Sequence, residues 1–293
     1  MNGPGPEPAS EPERTLAPLG RRRCAVVANV ATGGYRILTA LDAEGPEPRA
    51  GQFYMLAAER GWGEDGRRPW LPRAFSVAAV EPGPGGVRLG FLLESVGPGT
   101  EVLAALAEGS GLYVHGPLGL PFSMPDAVRE GASGAILVGG GIGIAPLAVL
   151  RGTLAAAGIP QRVLLGFRDM AHSGGLELFR CSDVGLASED GHIGHRGYVT
   201  DLLARMVDGD DAASGVVYSC GPPAMLEAVR GMCAERGVAT ELALESPMAC
   251  GYGACFGCAV PLAAGGYMRL CVDGPVVRGE AIATALVEGA GHR

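Results

Sequence analysis

Gly134 to Ala157, GAILVGGGIGIAPLAVLRGTLAAA, is the stretch that decides the fold. A short apolar run, AILVGG, meets a glycine turn and then an apolar stretch opened by Pro146, a residue suited to a helix's first turn. The unit reads as strand, tight turn and helix over residues 146–157. The same texture continues with RVLLGF, a helix near Leu176, GVVYSC, a helix from Ala224 to Arg236, and TELALE. Strands alternating with helices predict a parallel sheet with helices on both faces. The turn is not the Rossmann G-x-G-x-x-G, because counting from Gly139 or Gly141 puts Ile144 or Pro146 where the last glycine belongs. Ligands of open α/β sheets bind at the carboxyl ends of strands. Gly139, Gly140 and Gly141 are therefore candidate nucleotide-binding residues, as are Cys220, Gly221 and Pro222 in the run YSCGPP. Cys220 reads equally as a thiol beside a nicotinamide or as a packed strand end.

Upstream, from Cys24 to about Phe122, the runs CAVVANV, FYMLAA, AFSVAAV, VRLGFLLE and GLYVHG are broken by Gly and Pro clusters. That spacing predicts an antiparallel barrel, interrupted by one helix over Gly99 to Leu106. Pro117 to Glu130 reads as the exit and linker. The fold class expected is multidomain β and α/β: a leader at 1–20, a barrel at 21–124, a parallel-sheet domain at 132–244 and a small C-terminal domain at 245–293. Residues 1–20 are rich in Pro and Glu and lack a secretory h-region, so they read as a disordered leader of a cytoplasmic protein.

Composition excludes several function classes. Hydrophobic residues make up 47% of the 293, yet no apolar run approaches the ~18 residues of a membrane span. A net charge of -8 opposes nucleic-acid binding. All 23 basic side chains are Arg, which removes Schiff-base lysines and the Walker-type phosphate loop. His172, His192, His195 and His292 fall in loops or the tail and His115 on a strand, so none reads as a catalytic base.

Four of the eight cysteines crowd together as Cys250-x4-Cys255-x2-Cys258-x12-Cys271. This is the plant-type [2Fe-2S] spacing, three thiolates from one loop and the fourth from a later strand. Gly251, Gly253 and Gly257 supply the backbone freedom that such a loop needs. A structural zinc site would also use four thiolates, but zinc ribbons present two C-x2-C pairs and only Cys255 and Cys258 form one. Cys24, Cys181 and Cys233 read as buried small hydrophobes.

Two barrel motifs suggest an anion site. Arg73-Ala74-Phe75-Ser76 offers a guanidinium fork suited to a pyrophosphate. Gly97-Pro98-Gly99-Thr100 leads into the barrel's helix, where backbone N–H groups and a hydroxyl can meet a phosphate. Taken in order, RAFS, GPGT, GPLGLPF, GGGIGIAP and YSCGPP resemble the ferredoxin-NADP reductase superfamily. The ending ESPMACGYGACFGC, with CVDGPVV after it, is similar to the electron-transfer subunits of dihydroorotate dehydrogenases, and the likeness covers roughly residues 22–280.

The resemblance implies that Arg73, Ala74, Phe75, Ser76, Leu92, Leu93, Glu94, Gly99 and Thr100 hold FAD. It further implies that Cys250, Cys255, Cys258 and Cys271 bind the cluster and that NAD is the nucleotide. Many relatives have Pro where Ala74 stands and Arg in the stretch of Glu94. The implied partner is an FMN-containing catalytic subunit, two copies of each chain forming a heterotetramer. Hydride chemistry at nicotinamide moves two electrons and a [2Fe-2S] cluster moves one, so a flavin between them is chemically required. The alternatives are the equivalent subunit of a sulfide dehydrogenase or of a bifurcating NAD(P)H-ferredoxin oxidoreductase, a self-contained oxygenase reductase, and a zinc-stabilised interaction module.

Overall fold

A computed structural model describes residues 15–18, 20–66, 68–179, 184–208 and 215–287. Cys181, His292 and most of the expected leader lie outside them. The leader's described end is held against the barrel: Gln52 Nε2 donates to the Thr15 carbonyl at 2.9 Å, and the His115 ring bonds the Gly20 carbonyl at 2.8 Å.

The first sheet contains β1 (Arg22–Thr32), β2 (Tyr35–Asp42), β3 (Phe53–Ala58), β4 (Arg73–Ser76), β5 (Ala79–Gly83), β6 (Gly86–Glu94) and β7 (Gly111–Leu118). Their order is β4-β3-β7-β1-β2-β6-β5, with every neighbour antiparallel. Helix α1 (Pro98–Ala104) lies between β6 and β7. The expected single run AFSVAAV is two strands. Val77 N–H bonds the Gln52 carbonyl and Ala78 N–H the Gly90 carbonyl, so the chain crosses there from one sheet edge to the other and curls the sheet on itself. Alternation divides β3 between two cores: Tyr54 and Leu56 fill the barrel, whereas Phe53 and Met55 face outward into a second cluster.

After the short helix α2 (Pro125–Val128), the second sheet uses β8 (Gly134–Gly140), β9 (Gln161–Phe167), β10 (Val184–Ser188), β11 (His195–Arg196), β12 (Gly215–Cys220) and β13 (Thr240–Ala243). All pair in parallel in the order β11-β10-β9-β8-β12-β13. Helices α3 (Ile144–Ala156), α4 (Val199–Val207) and α5 (Pro223–Arg236) cover it. Leu137 of β8 packs with Leu147 and Leu150 of α3, while Ile136 and Val138 face Leu203 of α4 and Val229 of α5. Those period-two faces give the two helical layers predicted. Near Leu176 only a 3-10 turn forms, Leu176–Phe179. Helix α4 was not predicted, although Val199, Leu203 and Val207 repeat every four residues and are all buried.

The C-terminal residues form the hairpin β14 (Ala259–Pro261) and β15 (Tyr267–Arg269), the single turn α6 (Leu270–Asp273), and β16 (Val276–Arg278). Strand β16 joins the second sheet antiparallel to β13. Opposite each other there, Arg278 Nε lies 3.4 Å from Glu241 Oε1, and Glu241 Oε2 accepts the Ser123 N–H at 2.8 Å. Immediately before β16, the Gly274 carbonyl accepts the Leu120 N–H and the Pro275 carbonyl the Leu244 N–H. The cluster segment is thus bonded to both larger units.

Further along, Glu227 of α5 ties down the chain end. It accepts the Ala285 N–H at 2.6 Å and the Thr284 hydroxyl at 3.1 Å, and it pairs with Arg230 at 2.5 Å. Arg230 foremost, against partial burial, and then these two donors bring its carboxyl down to about 2 from an ordinary 4.5. A carboxyl depressed by folding adds stability that is full above its unfolded pKa and lost as pH falls through the folded value. Glu227→Gln should therefore lower the urea midpoint at pH 7 but scarcely change it at pH 2. An equal loss at both pH values would show that the ionised carboxylate is not the source.

Candidate functional site

The four clustered cysteines come together as two pairs. Cys258 and Cys271 are buried with their sulfurs 3.2 Å apart, and Gly253 N–H donates to Cys271 Sγ at 3.2 Å. Cys250 sits beside the exposed Cys255. Burial opposes ionisation of Cys250, but N–H groups of Tyr252, Cys255 and Ala254 and the Cys255 thiol bring it down to about 6. Cys271 is pushed up to about 12 by burial and then by Cys258. Among the described residues no three Cys, His, Asp or Glu side chains converge on one point. Two pairs of cysteine sulfurs, with backbone N–H groups aimed at them, suit a two-iron cluster, whose irons would take the sulfurs as thiolates.

Packing explains why the loop adopts this shape. Gly251 has φ of 79°, and a Cβ there would stand 2.6 Å from Met55 Cγ, so the loop lies directly on the outer face of β3. Arg269 braces the far side, donating to the Gly253 carbonyl at 3.1 Å and stacking over Phe256 at 5.2 Å. Tyr252, Phe256 and Tyr267 stand exposed around the loop.

Beside the loop, a cleft of about 250 Å³ runs between barrel and second sheet, walled by Phe75, Ser76, Leu92, Cys220, Glu245 and Met248. Ala74 also lines it, whereas Leu93 points into the barrel core with Phe91. Ser246 Oγ is buried and unpartnered. The open surface of Glu245 faces the cleft, but the protein crowded around its carboxyl raises its pKa. Cys220 is buried, and desolvation followed by the charge of Glu245 holds its thiol well above the ordinary range. It is a neutral wall of the cleft.

Arg73 turns away from this cleft. Its Nη1 donates to the Leu71 carbonyl at 2.7 Å, and a Cβ on Gly99 would stand 2.9 Å from its Nε. Residues far apart in sequence thereby form one cradle, and only glycine at 99 leaves the guanidinium room. Trp62 flanks it at 5.9 Å from the ring centroid, with a buried indole N–H that has no partner. The Thr100 hydroxyl is engaged locally: it accepts the Val96 and Gly97 N–H groups and donates to the Gly97 carbonyl, fixing the turn into α1. The cradle, the unpaired indole N–H and the apolar-walled cleft together fit an extended flavin dinucleotide.

A larger cavity of about 430 Å³ opens across the carboxyl ends of β8, β9, β10 and β12, lined by Tyr35, Gly140, Gly141, Arg168, His172 and Glu189. Pro222 lines it as well. Gly139 is turned instead toward Ile144 and Leu165, in the packing beneath. Gly221 is wedged against Gly140 and Met225, and a Cβ on Gly143 would stand 2.5 Å from Gly221 Cα. The turns after β8 and β12 therefore meet where Gly143 abuts Gly221. Glu94, at the end of β6, reaches this cavity's edge, 3.6 Å from His172 Nε2.

Sequence reasoning missed Trp62, Ser246 and the loop from Asp169 to Gly175. Asp169 and His172 are paired at 2.6 Å, and the His172 side chain, against some desolvation, together with its backbone brings Asp169 down to about 2. Ser246 is the second residue of the run ESPMACGYGACFGC and so was a readable signal; the loop's union with the barrel, through Gly34 N–H to the Ala171 carbonyl and Gly175 N–H to Thr32 Oγ1, was not.

Residues 245–283 match the family model of the iron-sulfur cluster binding domain of dihydroorotate dehydrogenase B. An electron transfer subunit of dihydroorotate dehydrogenase B (NAD(+)) from Clostridium acetobutylicum is 34% identical over 233 residues, 80% of this chain and 85% of that one. Its counterpart from Listeria welshimeri is 35% identical over 235 residues, covering 79% and 86%. Among solved structures, an NADH-dependent reduced ferredoxin-NADP oxidoreductase that performs flavin-based electron bifurcation superposes with a TM-score of 0.73 at 25% identity, over 88% of this chain and 89% of that one. Phthalate dioxygenase reductase shares the fold with a TM-score of 0.59 at 17% identity, covering 91% and 96%. No helix among the described residues is long and apolar enough to cross a membrane.

Proposed function

The chain belongs to the family of dihydroorotate dehydrogenase B electron transfer subunits, and from that premise we propose that it passes electrons from a catalytic partner subunit through a [2Fe-2S] cluster and FAD to NAD. The observation that carries this reading is the pair of cysteine pairs seated on β3, next to a cleft that adjoins a nucleotide cavity. When bound, FAD converts between two-electron exchange with a nicotinamide and one-electron exchange with the cluster. Arg73 holds the pyrophosphate as a charge-assisted fork, with Gly99 leaving it room. Phe75, Leu92 and Cys220 exclude water from the flavin face, and Ser246 supplies a hydroxyl for a ring heteroatom. Gly140, Gly141 and Pro222 receive the nicotinamide nucleotide at the strand ends. The domain division follows this labour: barrel 21–124 for FAD, 132–244 for NAD, and 245–293 for the cluster.

The partner on this reading carries FMN, oxidises dihydroorotate in pyrimidine biosynthesis, and assembles two-to-two with this chain. Nothing in the described residues offers the eight βα units that such a catalytic barrel needs. Reconstitution tests the proposal. The chain alone, loaded with FAD and cluster, should reduce artificial dyes with NADH and leave dihydroorotate untouched; adding the catalytic subunit should yield dihydroorotate-dependent NADH. Turnover of dihydroorotate by the lone chain would overturn the proposal. Electron delivery only to a ferredoxin or sulfur-linked partner would favour the alternative to which the bifurcating structural neighbour points.

A further inference from the structure

The second strand of the parallel sheet ends at Phe167, so Arg168 is the first side chain past it, on the rim of the nucleotide cavity. An arginine near this position suits the 2′-phosphate of NADP, while an acid suits the ribose hydroxyls of NAD. The chain presents both, since Glu189 is the first residue past β10 and lines the same cavity. What decides between them is the company that Arg168 keeps. Its Nε lies 3.4 Å from Asp169 Oδ2, and its Nη2 donates to the His172 ring. His172 Nδ1 is in turn 2.6 Å from Asp169 Oδ1, and its Nε2 faces Glu94 Oε1 at 3.6 Å. The Asp169 carboxylate also accepts the His172 N–H at 3.0 Å, which fixes the turn that holds all three groups together.

We propose that Asp169 selects NAD over NADP by neutralising Arg168 and tying it to His172, which leaves the carboxylate of Glu189 to meet the adenosine ribose. This rests on the reading of the cavity as the nicotinamide-nucleotide site. One guanidinium there is paired with Asp169, shares the cavity lining with Glu189, and has Glu94 on the far side of His172. A 2′-phosphate would add about two further negative charges, as a phosphate monoester does near neutral pH. Arg168 could offer its fork to that phosphate only by leaving Asp169 and His172. No ion pair among the described residues engages Glu189, so its oxygens remain available as acceptors for ribose hydroxyls.

The test uses the full chain loaded with FAD and cluster, with dye reduction driven by NADH or by NADPH. Asp169→Asn should raise the NADPH-to-NADH ratio of kcat/KM about tenfold or more, the scale set by removing one charge a few ångströms from another near a protein surface. Glu189→Gln, on an exposed turn, should move the ratio in the same direction and serves if the first variant fails to fold. In competition against NADH, 2′-phospho-AMP should gain on AMP in both variants. An unchanged ratio in a folded variant that still uses NADH overturns the selection mechanism alone. Failure of the unsubstituted, flavin-loaded chain to use either nucleotide overturns the underlying function as well.

Discussion

Cys250→Ser is expected to abolish electron flow from the catalytic subunit to NAD while leaving most of the NADH-to-dye activity. The sulfur of Cys250 is held by three backbone N–H groups and by Cys255, in a loop resting on β3 rather than in the cleft. Serine keeps the hydrogen bonds but binds iron poorly, and losing a ligand should exceed the ~10–100-fold cost of disturbing only its outer shell. Dye reduction needs only the Arg73 cradle and the cleft, and both are built from other residues. Iron and flavin measured on the same sample make the result unambiguous. If flow between the subunits survived the loss of iron, the relay would be wrong; if flavin left together with iron from soluble, folded protein, the separation of the two sites would be wrong.

Arg73→Ala should weaken FAD binding by ~1.5–3 kcal/mol, the usual worth of a hydrogen bond to a charged group, or about 10- to 150-fold in Kd. The cradle predicts more than a lost charge. Because the guanidinium fills the space above Gly99, Gly99→Val should impair binding by displacing an arginine that is still present. Trp62 lies close enough to Arg73 for its fluorescence to report occupancy, so titration with FAD gives the affinity directly. Unchanged affinity in Arg73→Ala would remove it from the site, and an effect on FMN equal to that on FAD would confine its contact to the ring-side phosphate or the ring.

Much of this was legible in the sequence because it is carried by local spacing. The alternation of AILVGG, RVLLGF and GVVYSC with helices requires a parallel sheet, and the cysteine spacing names its chemistry without knowledge of the fold. What escaped depends on contacts between distant segments. No local pattern says that Val276–Arg278 adds antiparallel to β13, since that pairing rests on Arg278 meeting Glu241. AFSVAAV has the composition of one strand and becomes two only because its middle bridges Gln52 and Gly90. VGLAS at β10 is short and contains glycine, a weak signal made a strand by its neighbour β9. Of the FAD candidates, RAFS and GPGT were readable as an anion site, but only tertiary packing turns Leu93 into the core and lays Arg73 on Gly99.

The three residues Gly274, Pro275 and Val276 have a consequence for how this molecule moves. Within that span the chain bonds Leu120 of the barrel's exit, Leu244 beyond β13, and then β13 itself. A hinge opening between barrel and sheet would have to shear these bonds, and with them the segment carrying the cysteines. Clam-shell breathing would cost these bonds, so nucleotide exchange is expected to use side-chain and loop displacements at the cavity rim instead. For electron tunnelling the expected consequence is a fixed gap, because the same suture that joins barrel to sheet also carries the sulfur loop beside the cleft.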